Sequence, residues 1–144
     1  MVSDIEILYV TKFEERAFDL LSMQSVSLAD EKINGWEKTG ILSKRPSSIG
    51  TTCWGEKNKL AIHVPSGIPV DFFRTSEENW WVSLVIRTGS KETNLALTNG
   101  AINRGGVLHA YGSGVEKRGV LYPARSEREV FELCGVPYVE VEKR

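Results

Sequence analysis

The sequence has little cysteine, little histidine and no long apolar run. Its two cysteines, Cys53 and Cys134, and its two histidines, His63 and His109, are scattered through a 144-residue chain. None of them shows the paired spacing of a zinc site, so free thiols are expected. No apolar stretch approaches the roughly 20 residues that cross a bilayer, and no membrane partner is expected. The opening Met1-Val2-Ser3-Asp4 has neither the basic nor the apolar region of a signal peptide, which makes the cytoplasm the expected location. An excess of charge is lacking too, since 18 Lys and Arg against 19 Asp and Glu leave a net of −1. That excludes coating nucleic acid by bulk charge and leaves only a local patch. Lys57, Lys59, Arg74, Arg87 and Lys91 are candidates for one, with scattered solvated charge as the plainer reading.

What is present is ordinary for a globular protein: 41% hydrophobic and 26% charged residues, enough for one core or two small lobes. Asp4 to Val10 is a short β-branched and aromatic run bounded by charge, which suits a strand, with Asp4 and Glu6 on one face. Residues 11–27 are mixed and polar, with Phe13, Ala17, Leu20 and Leu21 near helical spacing, and read as a loop with one helical stretch. Ser27 can cap a helix from Leu28 to Lys38 that turns Leu28, Ile33 and Trp36 inward and closes at Gly40. Pro46-Ser47-Ser48 breaks structure, and Thr51 to Trp54 reads as a strand. Lys59 to Val64 and Ile68 to Arg74 read as strands joined by Pro65-Ser66-Gly67. Within the second, Asp71 faces away from Val70 and Phe72.

After Thr75 or Ser76 as cap, Glu77 and Glu78 suit the first turn of a helix carrying Trp80, Trp81, Leu84 and Val85. Thr88-Gly89-Ser90 interrupts it. Lys91 to Arg104 reads as a second helix with Leu95, Leu97 and Ile102 as core candidates, although Gly100 weakens its middle. Val107 to Tyr111 and Gly119 to Tyr122 read as a hairpin around Gly112-Ser113-Gly114. Ser126 and Glu129 form a capping box for a helix through Cys134 that ends at Gly135. The overall class is α+β.

Asp4, Glu6 and Asp71 lie on two strands of one expected sheet. Carboxylates gathered this closely repel unless a cation neutralises them, and Mg²⁺ is held by a few such oxygens together with substrate phosphates. Acidic residues alternating on a solvated strand face are the plainer explanation of an Asp-x-Glu pair. His63 reads as solvent-facing or hydrogen-bonded rather than catalytic, as does His109. Trp80-Trp81 reads as core and rim rather than a base-stacking platform. Ser90 has no general base near it in sequence, which argues against nucleophilic catalysis.

An ordered series of motifs adds to this reading. Ser3-Asp4-Ile5-Glu6-Ile7-Leu8 and Ile68-Pro69-Val70-Asp71-Phe72-Phe73 come first, then Thr88-Gly89-Ser90 with Asn94, then Gly105 through Tyr111-Gly112. Last come Ser126-Glu127, Val130-Phe131, Gly135, Pro137-Tyr138 and Glu142-Lys143-Arg144. In this order the chain resembles the palm and thumb of the family X, or beta-like, DNA polymerases. The resemblance implies a nucleotidyltransferase-type palm sheet over residues 1–75 and a small helical thumb over 76–144. It implies that Asp4, Glu6 and Asp71 are catalytic and hold two Mg²⁺ ions, with Mn²⁺ as a substitute, and that Asp71 accepts the proton of a primer 3′-hydroxyl. It also implies that Thr88, Gly89 and Ser90 form a turn, with a cis peptide, against the sugar of a dNTP. Asn94 would touch the base, Lys91 and Arg104 would meet phosphates, and Tyr111 would face the template.

The chain departs from the family pattern in places. Glu6 stands where Asp is usual, and Ile86-Arg87 replaces an aromatic pair. The family's Gly-Ser turn for the β- and γ-phosphates should precede Asp4, where only Met1, Val2 and Ser3 stand; the expectation is a palm incomplete without an upstream partner segment, or one that self-associates. The expected partners are DNA primer-template and dNTP, and the expected function is gap-filling transfer of a dNMP to a DNA 3′ end. The alternatives are a weak or inactive DNA- or nucleotide-binding module of the same fold, and an enzyme that transfers a nucleotide to a small molecule or protein.

Overall fold

The computed structural model describes residues 2–144. The chain divides into two compact units, one through Arg74 and one from Thr75 to Arg144. No helix among the described residues is long and apolar enough to cross a membrane.

The first unit is built on a four-stranded sheet of β1 (Ile5–Val10), β4 (Leu42–Lys44), β5 (Asn58–His63) and β6 (Ile68–Thr75), in the order β1-β6-β5-β4. Strands β4, β5 and β6 run antiparallel, with Leu60 opposite Asp71 and Ala61 opposite Val70. Helix α1 (Leu28–Lys38) packs on one face, and the core gathers Ile33 with Leu42, Ala61, Val70 and Phe72. Its start is fixed by side chains: Ser27 Oγ accepts from the Asp30 amide, and Thr11 Oγ1 accepts from the Ala29 amide. These bonds satisfy donors that a helix N-terminus otherwise leaves free. Leu28, expected inward, is exposed, because at roughly 100° per residue it lies about 140° around the helix from Ile33.

Two further expectations fail in this unit. Residues 11–27 hold no helix; they form a hairpin of β2 (Phe13–Ala17) and β3 (Met23–Ser27), with Phe13 opposite Ser27 and Ala17 opposite Met23. The residues that suggested helical spacing, Phe13, Ala17, Leu20 and Leu21, all stand exposed, so their spacing carried no packing information. Thr51 to Trp54 is not a strand either; it makes isolated bridges, Pro46 with Thr52 and Trp54 with Lys59.

The second unit combines helices with a small sheet, in keeping with the α+β class. Helices α2 (Trp80–Thr88), α3 (Lys91–Asn103) and α4 (Glu127–Cys134) share a core with an antiparallel sheet of β7 (Gly106–Leu108), β8 (Gly114–Lys117) and β9 (Val120–Pro123). The expected hairpin omitted its central strand, since Gly114 and Ser113 read as turn chemistry. Helix α2 begins at Trp80 rather than at Glu77, because Ser76 Oγ caps a turn by accepting from the Asn79 amide. Phe131, Leu97, Val82, Val85, Val115, Val130 and Cys134 are fully buried, and burial pushes the Cys134 thiol up to about 11. Leu95 and Ile102, expected in this core, are exposed, and Ala101 takes a place there instead. At Gly100 an added Cβ would sit 2.4 Å from the Cys134 carbonyl oxygen, so α3 approaches the end of α4 closely there.

Candidate active site

Tyr9 packs toward the core of the first unit and donates to Asp30, so the strand alternation of β1 places Glu6 on the opposite face of the sheet. Asp71 lies between the buried Val70 and Phe72 on β6, the neighbour of β1, and likewise faces away from the core. Glu6 and Asp71 thus share a sheet face, and Asp4 precedes β1 by one residue. Their surroundings differ. Asp4 and Glu6 are exposed, whereas Asp71 is only 8% exposed and forms an ion pair with Arg45. Asp71 Oδ1 is buried without a hydrogen-bond partner. An orphaned carboxylate oxygen on a face shared with a second carboxylate fits the chemistry of a hard divalent ion. The three side chains are nevertheless not gathered: among the described residues no group of three His, Cys, Asp or Glu is arranged to hold a metal ion.

The other face of this sheet carries an ionic network that the sequence did not announce. Asp30 on α1 accepts from Tyr9 Oη, Lys59 Nζ at 2.8 Å and Arg74 Nη1, and Arg74 also reaches Glu56. Lys59 and Arg74 are therefore committed inside this unit and do not form a basic patch. Burial alone would push the Asp30 carboxyl up, but hydrogen bonds from Lys59, Tyr9, Ser27 and Arg74 outweigh it and hold the group far below the usual carboxylate range. Burial first, then the hydrogen bond and charge of Asp30, raise the Tyr9 phenol well above its ordinary value. A depressed carboxyl stabilises the fold above its unfolded-state pKa, and that contribution fades as pH falls. A raised phenol stabilises below its unfolded-state pKa, and that contribution fades as pH rises. The first unit is thus expected to be most stable between about pH 5 and 9, and Tyr9→Phe should flatten the alkaline fall in a pH series of thermal melts. An unchanged alkaline limb would contradict this linkage. A groove of about 870 Å³ opens beside the network, bounded by Phe13, Trp54, β3 and α1. Asp4, Glu6 and Asp71 do not line it.

In the second unit Thr88, Gly89 and Ser90 join α2 to α3. Gly89 and Ser90 are extended, with φ of −79° and −70°, and all peptide bonds among the described residues are trans. The implied cis peptide is therefore absent; hydrogen bonding turns the corner instead. Thr88 Oγ1 donates to the Leu84 carbonyl, the Gly89 amide donates to Val85, and Ser90 Oγ caps α3 by accepting from the Thr93 amide. Asn94 reaches back across the corner: its Nδ2 donates to the Ile86 carbonyl at 2.9 Å, and its Oδ1 is buried without a partner. A Cβ at Gly89 would lie 2.7 Å from that oxygen, so only glycine leaves room for the amide. Lys91 is exposed on the first turn of α3. Tyr111 is exposed in the turn after β7, and its carbonyl accepts from Asn79 Nδ2. Arg104 is turned to the Glu132 carbonyl, where it ties α3 to α4. His63 and His109 pair with Ser66 and Glu116, respectively.

Two arginines were not singled out as site residues. Arg144 is fully buried at its side chain, and its Nη1 donates to Thr88 Oγ1 at 2.7 Å and to Glu127 Oε1 at 2.8 Å. The C-terminal motif included it, but spacing alone could not show which partner lies 56 residues away. Arg45 had no signal at all, because it follows the last residue of β4 and its pairing with Asp71 depends on strand register.

Residues 83–144 match the family model described as DNA polymerase beta thumb. A search of curated proteins finds no match. The chain is α+β, and from Ser83 onward its C-terminal unit is similar to a DNA polymerase beta thumb.

Proposed function

We propose that this protein is a DNA-directed nucleotidyltransferase of the polymerase beta type that adds a dNMP to a DNA 3′ end in a gap-filling, Mg²⁺-dependent reaction. The reading is carried by a polymerase beta thumb at residues 83–144 in one chain with a sheet that bears Glu6 and the buried Asp71 on one face. A thumb of this type implies contact with DNA, and the proposed substrates are primer-template and dNTP. Divalent ions held by Asp71, Glu6 and Asp4 would neutralise triphosphate charge and acidify the 3′-hydroxyl. Asp71 would accept the hydroxyl proton at its free Oδ1. Thr88, Gly89 and Ser90 present a corner braced on both sides by hydrogen bonds, against which a sugar can be held in fixed position. Lys91 and Tyr111, both exposed, would meet phosphate and template.

Extension of a labelled primer on gapped duplex with Mg²⁺ tests the proposal. Incorporation that depends on the template and on Mg²⁺ is the expected result; tight DNA binding without incorporation in Mg²⁺ or Mn²⁺ would overturn it. That second outcome would support a DNA-binding module without catalysis, a reading favoured by one observation: Asp71 is held by Arg45, and the three carboxylates are not gathered.

Asn94→Ala is expected to weaken dNTP affinity by about tenfold, the scale of one buried hydrogen bond, and to leave DNA affinity nearly unchanged. Because its amide braces the α2–α3 corner, the effect would pass through the corner that receives the nucleotide. Fluorescence titrations with dNTP and with duplex DNA separate the two, and equal losses would count against the assignment.

Self-association is a further part of the reading. β1 is an edge strand, and Ile5 and Ile7, on the same face as Tyr9 by alternation, are 41% and 38% exposed. An unpaired edge with apolar side chains on its core face is a template for another strand. Sedimentation velocity should show mass rising with concentration, and Ile5→Lys with Ile7→Lys should abolish the rise. A monomer at all concentrations would refute this part alone.

A further inference from the structure

Apolar side chains scattered singly over a surface call for no explanation, but a contiguous group of them does. One such group stands at the end of the β2–β3 hairpin. Leu20 and Leu21 are fully exposed, Phe18 is 75% and Met23 63% exposed, and Met23 is opposite Ala17. The hairpin buries little in its own chain, since every residue of β2 is exposed and only Val26 and Ser27 of β3 are partly covered. A two-stranded ribbon without a covering layer is marginal in water, which gives this one reason to be covered by another surface.

The tip is nonetheless held in one shape. The Phe18 amide donates to the Ser22 carbonyl at 3.0 Å, and Asp19 Oδ1 accepts from the Leu21 amide at 2.8 Å. The base is tied to α1: the Leu28 amide donates to the Lys12 carbonyl, Ser27 Oγ donates to Thr11 Oγ1, and Arg16 reaches Glu31. A partner therefore meets Leu20 and Leu21 already displayed, without the cost of ordering a loose loop. Charge narrows what that partner can be. The hairpin carries Glu14, Glu15 and Asp19 against Arg16, and Arg16 is taken up by Glu14 and Glu31. Hydrogen bonds from the Leu21 amide and the Ser22 hydroxyl hold the Asp19 carboxyl below the usual carboxylate range, so it is ionised at neutral pH. Nucleic-acid phosphates and anionic lipid headgroups are repelled by such a tip, and so is the same tip of a second copy.

We propose that the β2–β3 hairpin is a docking element for a second protein, one that offers an apolar cleft edged by lysine or arginine. Leu20 and Leu21 enter the cleft, Phe18 and Met23 close over its mouth, and Glu15 and Asp19 meet the basic edge. Binding energy in such interfaces concentrates in a few enclosed side chains, while complementary charge on the rim sets orientation and the rate of encounter. Methionine suits this position because its unbranched thioether adapts to an irregular surface. The hairpin is a sheet of its own, apart from the four strands that carry Glu6 and Asp71, so docking stands or falls independently of the transfer reaction.

The experiment uses the intact chain and a random-peptide library displayed on phage, selected on wild type after depletion on a variant carrying Phe18→Ser, Leu20→Ser and Leu21→Ser. All three side chains are exposed, so the variant keeps its fold, which circular dichroism checks. Enriched peptides should combine Leu or Phe with Lys or Arg, and their synthetic forms should bind wild type at least about tenfold more tightly than the serine variant. Their affinity should fall as KCl is added, and Glu15→Lys should weaken it with the apolar tip intact. No enrichment over the depleted library would overturn the proposal, as would enriched peptides that lack cationic residues or bind both chains alike. Duplex DNA and vesicles of phosphatidylcholine with phosphatidylserine should not distinguish wild type from the serine variant. Loss of either interaction in that variant would assign the tip to nucleic acid or lipid instead. Concentration-dependent mass in sedimentation velocity that disappears in the same variant would assign it to a second copy, and either result would overturn docking of a different protein.

Discussion

Replacing Arg144 with alanine is expected to destabilise the C-terminal unit by about 3–5 kcal/mol, the cost of removing one member of a buried ion pair. The guanidinium is fully enclosed. It donates to Thr88 Oγ1, Glu127 Oε1 and the Val139 carbonyl, and it lies 5.2 Å from the centre of the Phe131 ring. Alanine would leave the Glu127 carboxylate without its cation and the Val139 carbonyl without its donor, and would open space beside Phe131. A unit this small has a net stability of only about 5–15 kcal/mol at best, so a loss on this scale removes much of it. Arg144→Lys should fall between, because one ammonium cannot replace a planar fork with several donors. Hydrogen exchange should show the loss in α2 and α4, the helices that the guanidinium joins, with the first unit unaffected. A variant that melts within about a degree of wild type would show that these contacts contribute little.

The same residue shows what could be read from the chain and what could not. Helices α1 and α4 were legible almost to the residue, because each is bounded by local chemistry: Ser27 before α1, and Ser126 with Glu129 and Gly135 around α4. Strands β5 and β6 were legible from alternation, and with them the outward direction of Asp71. The hairpin β2–β3 was not, since both of its strands are largely solvent-exposed and exposed strands carry no pattern of burial. β8 was hidden by Gly114, which looks like a turn residue but lies where strands crowd: an added Cβ would meet the Tyr122 carbonyl oxygen. At the site, Thr88-Gly89-Ser90 and Asn94 could be found as a motif, but their mutual bonding could not. Asn94 reads as a residue displayed to a ligand, whereas its amide is turned into the corner. Arg45 and Arg144 were illegible as partners of Asp71 and Thr88, because each pairing depends on tertiary packing at long sequence separation.

The largest effect on activity is expected from Asp71→Asn, which should reduce Mg²⁺-dependent incorporation of a dNMP by about 10³- to 10⁴-fold, the range for losing a positioned acid–base or metal-binding group. The substitution is nearly isosteric. Asparagine can still accept from Arg45 Nη2 through its amide oxygen, so the hydrogen bond survives while the negative charge and the second acceptor oxygen are lost. That second oxygen, Oδ1, is the one the fold leaves buried without a partner, and replacing it with an NH₂ group turns an acceptor into a donor. On the proposed reading, proton acceptance and cation binding would both fail at that atom, whereas residues 83–144, which match the DNA polymerase beta thumb, are untouched. DNA affinity should therefore stay within about threefold of wild type, a difference under 1 kcal/mol. Glu6→Gln and Asp4→Asn should lose incorporation as well. Single-turnover primer extension, with duplex binding measured in parallel, separates these quantities. Wild-type incorporation by Asp71→Asn would refute the catalytic assignment outright. Parallel loss of incorporation and of DNA binding would mean that Asp71 and Arg45 hold the sheet together rather than perform the transfer.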